Sequence, residues 1–549
     1  MKIAVVSMMV KAGKCEENFA YMKKRIEEAR VQDADMIVFP QNAVSGYLLS
    51  DQWMDDAWCR YVDGFNEQLT AMSDDIAIVW GNIRYRNKRR FNAAFFAYQG
   101  QTHMRVKTNE VKEYTNDALY FENNPINSAI EFKDMVMALN FGRELQIADL
   151  NINLDAHPFD MDEKREYKGN VVYVNACGAQ NSGKQVKAME GASYVHLNQK
   201  LLYEAAYFTD TMDIVDLHQK ESVPEQKALL LDALIMAIQS FDAGVFPSAM
   251  PWIVGLSGGL DSSVTAALLA LALGKERIYG YNMPTSYNSE QTMDNAHQEA
   301  QALGIHYHKG SISNMVSAME EQFKEAFAFD VEAMPSLVKE NLQARIRGFV
   351  LNGISSMLGG VVVNNANMVE AALGYCTLYG DSIGALSLIG DLDKVTLFEV
   401  AREINERCGK EVVPCNLLPE VYEDHIDWEM MPSAELKDAQ KDPMKWFYHD
   451  ALLNLIRLGD TKSSLLMKYR KGLLQEQLGS WLEYYQIKDE AAFLQDLDWL
   501  LRTMERNAFK RLQLPPCITL HAATITGRIS SQGSMGILDQ EAVKAIQKI

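Results

Sequence analysis

Residues 253–274 read IVGLSGGLDSSVTAALLALALG. An apolar run breaks into two glycines, an aspartate and paired serines, then resumes at helical spacing. That order predicts a strand, a tight bend over 255–263 and a helix. Backbone N–H groups and a helix N-terminus then surround one small concavity, which attracts phosphate oxygens. Gly258 and Gly259 let the backbone approach an anion closely, and Ser257, Ser262 and Ser263 can add hydroxyl donors. Asp261 is misplaced against an anion unless a cation joins it. Magnesium bridging its carboxylate to phosphate oxygens resolves the conflict, because this hard cation prefers oxygen ligands. The plainer alternative is a glycine-rich turn with an aspartate capping the helix. The closing Gly-Lys-Ser/Thr of a Walker loop is absent.

Around this bend lie 549 residues, too many for one hydrophobic core, so two or more domains are expected. Apolar residues make up 48% and charged residues 23%, an ordinary globular mix. A formal charge of −20 argues against a broad nucleic-acid or anionic-membrane surface, since those partners are held by clustered Lys and Arg. The seven cysteines, at 15, 59, 177, 376, 408, 415 and 517, form no CxxC pair, which fits a reducing cytoplasm better than a disulfide framework or zinc knuckle. The N-terminal MKIAVVSMMVKAGKCEENF lacks the layout of a signal peptide and reads as a first strand. No apolar run reaches the roughly 18 residues of a membrane-spanning helix.

The rhythm along the chain defines its organisation. Up to residue 216, β-rich runs dominate: KIAVV, ADMIVFP, IAIVWGNI, FNAAFFAY, MVMALNF, NVVYVNA and ASYVHL, with a helix over 16–32. Many strands with few helices predict a sandwich with helices outside. Residues 217–247 read as a joint with a helix. Beyond 248, strands at WIVGLS, IYGYNM, HYHKG and GGVVVNN alternate with helices, predicting a parallel sheet covered on both faces.

The motif SGGLDSS resembles the pyrophosphate loop of the ATP pyrophosphatases, which split ATP between its α and β phosphates to adenylate a carbonyl oxygen. Together with 283-MPTSYNSE-290, 340-ENLQARIRG-348, 373-LGYCTLYGDSIG-384, 432-PSAELKDAQKD-442 and 508-AFKRLQLPP-516, it resembles the NAD synthetase family. The resemblance implies a doubly wound sheet of the adenine-nucleotide alpha hydrolase type over 248–549. It implies that Gly255, Leu256, Ser257, Gly258, Gly259, Leu260, Asp261 and Ser262 hold ATP phosphates, with Lys394 reaching the same phosphates. Asp261 and Glu370 would bind magnesium, and Asp261 and Lys394 would carry the catalysis. Asn341, Arg345, Glu370, Thr377 and Lys510 would face deamido-NAD, whose nicotinate carboxylate is adenylated and then amidated by ammonia. Each has a plain alternative: Arg345 and Lys394 as surface charges, Thr377 as a turn residue, Asn341 as a helix cap. One segment departs from the family, which has a TGNKSE-like run where this chain reads 364-NNANMVE-370. Glu370 survives; Asn365, Ala366 and Met368 replace the threonine, glycine and lysine, and Asn365 can still donate to ATP.

Residues 1–216 resemble the nitrilase-like amidase of the glutamine-using members, an α-β-β-α sandwich, through 34-ADMIVFPQNAVSGY-47, 172-VYVNACGAQ-180 and 191-GASYVHL-197. That chemistry needs a carboxylate base, a lysine for the oxyanion and a cysteine nucleophile. The glutamate position is Gln41, and a carboxamide is no base at neutral pH. Lys107 lies at or beside the lysine position within 104–112. Asn140, followed by Phe141 and Gly142, stands where the cysteine is expected. Cys177 reads as a buried strand residue. The amidase is therefore expected to be dead, with 1–216 kept as a scaffold, and the nitrogen to come as free ammonia or from a separate ammonia-supplying protein. A cytoplasmic homo-oligomer is expected. Two alternatives remain open: an ATP-dependent ligase for another nucleotide carboxylate, and a non-catalytic nucleotide sensor.

Overall fold

The computed structural model describes residues 1–108, 117–123, 129–219, 221–227, 229–246, 248–331, 333–422, 425–433, 436, 442–526 and 539–547. The chain divides into two compact units, Met1–Pro247 with Leu520–Ala522, and Ser248–Thr519 with Ala523–Ile549.

The first unit is built on two six-stranded sheets. Its strands are β1 Lys2–Ser7, β2 Met36–Val38, β3 Ala77–Arg86, β4 Arg89–Tyr98, β5 Gln101–Val106, β6 Ile130–Phe132, β7 Met135–Phe141, β8 Leu150–Asp155, β9 Val171–Asn175, β10 Cys177–Ser182, β11 Gln185–Glu190, β12 Tyr194–Leu197, β13 Lys200–Glu204 and β14 Thr211–Asp216. One sheet runs β14-β1-β2-β3-β4-β5 and the other β13-β12-β9-β8-β7-β6. Period-two alternation decides what each strand buries. In β1, Ile3 and Val5 pack between the sheets with Leu139 and Phe141 of β7 and Ile152 and Leu154 of β8. Ala4 and Val6 point the other way, toward Phe19, Met22 and Ile26 of helix α1 (Cys15–Val31) and Val62, Phe65 and Leu69 of α2 (Asp56–Thr70).

The second sheet is finished differently from the first. Parallel β7 and β8 are joined by residues 142–149 only. Eight residues reach at most about 29 Å, and returning along β7 takes about 23 Å, so this crossover has no slack for a helix. Among the described residues none stands between β8 and β9 either. Where the expected sandwich has an outer helical layer, Tyr167 instead packs on Val171, Tyr173, Tyr194 and Leu201. Arg165 lies over the rings of Tyr173 and Tyr194 and pairs with Glu204 at 3.0 Å. After a single turn, α3 (Asp117–Tyr120), comes α4 (Leu230–Val245), which packs on the β10–β11 hairpin and buries Leu231, Leu234, Ile238 and Phe241. That apolar face makes the helix of 217–247 part of the first unit rather than a free joint.

The second unit carries the parallel sheet expected from the β-α rhythm. Strands β15 Trp252–Gly255, β16 Ile278–Asn282, β17 His306–Lys309 and β18 Val361–Val362 run in the order β17-β16-β15-β18. Helices α5 (Leu260–Leu273), α6 (Glu290–Leu303), α7 (Ser313–Glu325), α8 (Ser336–Leu358), α9 (Met368–Leu373), α10 (Lys394–Cys408) and α11 (Tyr448–Arg457) follow in chain order. The order turns about β15, whose neighbours β16 and β18 lie on opposite sides. Loops leaving the carboxyl end of such a strand form a crevice, the usual ligand position in open α/β sheets.

Candidate active site

The bend after β15 has the predicted geometry. Gly258 has φ +87°, which only glycine adopts freely, and Gly259 stands at the N-cap of α5 with no side-chain cap. The first N–H groups of α5 thus receive no side-chain acceptor from the N-cap residue. Within the loop Ser262 Oγ donates to Gly259 O at 3.0 Å and lies 3.0 Å from Ser257 Oγ, while Asn282 Nδ2 holds Leu256 O at 2.8 Å. Residues 255–262 line a cavity of about 310 Å³, except Gly258, which packs against α6. Ser263 is also no ligand donor: it is fully buried behind the loop.

Three of the expected residues meet on the cavity wall. Lys394, the first residue of α10, reaches Asp261 Oδ2 at 2.6 Å, and Asn367 donates to Asp261 Oδ1 at 3.0 Å. Glu370 follows Asn367 in the capping box of α9, each side chain accepting from the other's backbone. Burial, and then the nearby Asp261, push the Glu370 acid well above its ordinary range, with Lys394 pulling the other way. Burial works against the Lys394 ammonium, but Asp261 and Glu370 outweigh it and hold it above its ordinary value. The ammonium also lies 5.1 Å from the Trp446 ring. Asn365 reaches the cavity too, giving its amide N–H to Gly255 O at 3.0 Å, while Met368 is buried in the core.

The remaining expected residues gather around the neighbouring loop 374–378 instead of lining the cavity. Thr377 Oγ1 donates to Asn341 Oδ1 at 2.6 Å; Lys510 Nζ donates to the carbonyls of Gly374 and Cys376 at 2.8 and 2.7 Å. Arg345 is exposed, with Nε on Leu378 O at 3.2 Å. Its place on the wall is taken by Arg347, two residues on and roughly 200° around α8. Burial lowers the Arg347 guanidinium to about 10, partly offset by Asp381. Asp381, beside it in the cavity wall, is exposed at the surface, yet desolvation by its neighbours pushes its acid up to about 6. Sequence reasoning missed both, although Ala344, Arg347, Gly348 and Leu351, all cavity-lining, carry the helical spacing that marks one face. Asp442 also lines the cavity; of the 432–442 motif, residues 434–435 and 437–441 lie outside the described residues. With a glycine-rich loop opening a helix, two carboxylates, a lysine and an apolar slot formed by Met283, Leu351, Val362 and Ile383, the cavity suits a nucleoside polyphosphate.

Behind the loop, Glu299 of α6 is 1% exposed and burial raises its acid to about 8, the Ser263 hydroxyl offsetting only part. A folded-state value above the unfolded one means that ionisation opposes folding. The penalty is absent below the unfolded value, grows as pH rises and is complete above about 8. Glu299→Gln is therefore expected to gain stability over wild type between pH 5 and pH 9, by roughly 3 kcal/mol. Thermal melts across that range check it; a pH-independent difference would contradict it.

In the first unit the three amidase positions have separate surroundings. Gln41 is 1% exposed, and neither its amide oxygen nor its amide nitrogen has a hydrogen-bond partner among the described residues. Lys107 Nζ lies 3.1 Å from Tyr47 Oη and 3.4 Å from the Asp117 carboxylate, over the rings of Tyr47 and Phe141. Residues 109–112 of the expected lysine region lie outside the described residues. Asn140 belongs to a buried amide group, donating to Asn151 at 2.7 Å and Asn153 at 3.2 Å and accepting from Arg105 at 2.6 Å. Cys177 is buried in β10 with its thiol pushed up to about 12 by burial, as a strand residue would be.

Comparison with known proteins covers both units. A protein-family model for NAD synthase matches residues 247–479. A glutamine-dependent NAD(+) synthetase from Acinetobacter baylyi is 26% identical over 531 residues, 87% of this chain and 96% of that protein. Its Thermotoga maritima counterpart is 36% identical over 206 residues, 38% of this chain and 34% of that one. Among solved structures, a glutamine-dependent NAD(+) synthetase from Cytophaga hutchinsonii superposes with a TM-score of 0.80 at 15% identity, covering 99% of both chains. One from Acinetobacter baumannii, in complex with ADP, gives 0.67 at 22% identity over 97% of this chain and 99% of that one. The 255–262 loop falls inside the residues matched by the NAD synthase family model, and the likeness to glutamine-dependent NAD(+) synthetases runs through both units: residues 247–479 form an NAD synthase domain in a chain similar along most of its length to those enzymes.

Proposed function

We propose that this chain amidates deamido-NAD to NAD at the expense of ATP, using ammonia that it does not itself release from glutamine. The observation behind the first half is the meeting of Asp261, Lys394 and the open N-terminus of α5 on one cavity. The second half rests on the amidase positions: a carboxamide where the base belongs, a lysine engaged by Asp117, and Asn140 in place of a thiol.

In the proposed reaction the nicotinate carboxylate oxygen bonds to the α-phosphorus of ATP. The bond from that phosphorus to the bridging oxygen breaks, and pyrophosphate leaves. Ammonia then adds to the acyl carbon, the bond to AMP oxygen breaks, and the amide forms with loss of a proton. The chain's share is positioning and charge balance. The N–H groups opening α5 receive phosphate oxygens, Lys394 neutralises charge that builds on them, and the apolar slot holds the base and keeps water out. Asp261 and Glu370 suit magnesium: they are hard oxygen donors crowded on one wall, and burial first, then Asp261, raises the Glu370 acid. Bound there, the ion would offset phosphate charge. Asn341, Arg345, Thr377 and Lys510, around the 374–378 loop, are the proposed contacts to the dinucleotide.

Self-association fits the large exposure of Phe349 and Met357 on α8, and the cytoplasm is the proposed compartment. Among the described residues no helix is long and apolar enough to cross a membrane. The test is pyrophosphate release with deamido-NAD and ATP. Ammonium chloride should support it and glutamine should not, with a rate difference on the order of 10³-fold. Equal rates with glutamine would overturn the ammonia assignment. Release only with another carboxylate would overturn the choice of acceptor.

A further inference from the structure

Lys394 is the first residue of its helix, where fraying ordinarily leaves a side chain poorly fixed. Here the start of α10 is clamped at two successive residues by one face of α11. Asp393, the N-cap, accepts from Thr396 N at 2.8 Å and, through its other oxygen, from Asn454 Nδ2 at 2.6 Å. Lys394 N donates to Asp450 Oδ1 at 2.7 Å. Asp450 and Asn454 are one turn apart on α11, so both ties come from the same side. The second oxygen of Asp450 accepts from Phe447 N at 2.7 Å, and Phe447 is a non-glycine residue at φ +69°. That conformation needs such support. It also sets the chain next to Trp446, whose ring underlies the Lys394 ammonium. One carboxylate thus fixes both the backbone from which the lysine springs and the turn that carries the ring beneath it.

We propose that Asp450 is a positioning residue: through its paired backbone contacts it sets the direction of Lys394 toward Asp261 and the phosphate loop. The inference rests on the nucleotide site proposed above. Asp450 is 1% exposed and does not line the cavity, so it acts through Lys394 and touches no substrate.

The test is a double-mutant cycle on ATP affinity, measured by calorimetry with magnesium present, alongside pyrophosphate release with ammonium chloride. Asp450→Asn keeps the shape but turns one acceptor into a donor facing an N–H. It is expected to weaken ATP binding and lower kcat by about tenfold, with less than a twofold change in KM for deamido-NAD. In a Lys394→Met background the same change should weaken ATP binding less than twofold further. An equal loss in both backgrounds, no loss in the wild-type background, or a matching rise in the deamido-NAD KM overturns the positioning role. If Asp450→Asn gives no cooperative melt, Asn454→Ala takes its place by removing the adjacent tie, with about a threefold loss of ATP affinity expected and no loss overturning it. A wild-type protein that binds no ATP overturns the site reading itself, a result distinct from failure of the Asp450 arm alone.

Discussion

Asp261→Asn is expected to reduce pyrophosphate release by on the order of 10³-fold, the scale lost when one preorganised charge is removed from a reacting site. The side chain keeps its size, and one of its two contacts, to Asn367 at 3.0 Å or to Lys394 at 2.6 Å, can survive. What disappears is the carboxylate charge that balances Lys394 and, with Glu370, makes the wall suited to a divalent cation. Lys394 is only 2% exposed, so the substitution should also cost stability, since leaving a buried charge without its partner is unfavourable. Glu370 remains near and limits that cost to about 2 kcal/mol. The two effects separate in the double variant Asp261→Asn/Lys394→Met. Replacing both members of the pair should return most of the melting temperature while activity stays lost. Magnesium dependence of ATP affinity, followed by calorimetry, gives a readout free of turnover and should flatten in Asp261→Asn. Release within tenfold of wild type would contradict the assignment.

How far the site could be read from the chain depends on whether its parts are local. The 252–273 strand, bend and helix are set by neighbours in sequence: β-branched and apolar residues, then glycines, then an apolar helix. Glu370 was legible through the resemblance of 364-NNANMVE-370 to the family segment, and the structure adds that it closes a capping box with Asn367 at the start of α9. Resemblance points to Arg345 and is silent on Arg347, which lies on a different side of the same helix. Only the close approach of Gly348 to the 379–380 backbone, where an added Cβ would lie 2.7 Å from the carbonyl oxygens of Tyr379 and Gly380, fixes which side meets the loop. Asp381 and Trp446 come from loops whose approach no local pattern encodes. Asp450 sits 56 residues from Lys394. In the first unit the alternating strands were plain, yet the helical layer expected on the second sheet is replaced by the short crossover 142–149 and by Arg165 and Tyr167. Family resemblance supplied that layer; the length of the connection denies it room.

The two glycines of the bend should fail in different ways when given a methyl group. At Gly258 a Cβ would collide with the Thr292 carbonyl oxygen and lie 2.8 Å from its carbon, and φ is +87°. The obstacle is backbone of the first turn of α6, which cannot swing aside as a side-chain tip would. The left-handed conformation costs about 1 kcal/mol, and forcing the helix away adds about 2 kcal/mol of overpacking. Gly258→Ala should thus lose about 3 kcal/mol, a melting-temperature drop of roughly 6–12 °C for a unit of this size, and ATP affinity with it as the loop shifts. At Gly259 φ is −94°, and the nearest atom to an added Cβ is Ser257 Oγ at 3.5 Å. Gly259→Ala should melt within about 2 °C of wild type. Yet Gly259 lines the cavity at the N-cap of α5, where a methyl group stands between the first N–H groups and an arriving phosphate. A loss of ATP affinity of about tenfold is expected without loss of fold. Calorimetric melting and ATP titration of the two variants side by side decide the matter. If Gly258→Ala melts like wild type, the collision with α6 does not exist. If Gly259→Ala binds ATP like wild type, the phosphates do not rest on the opening of α5.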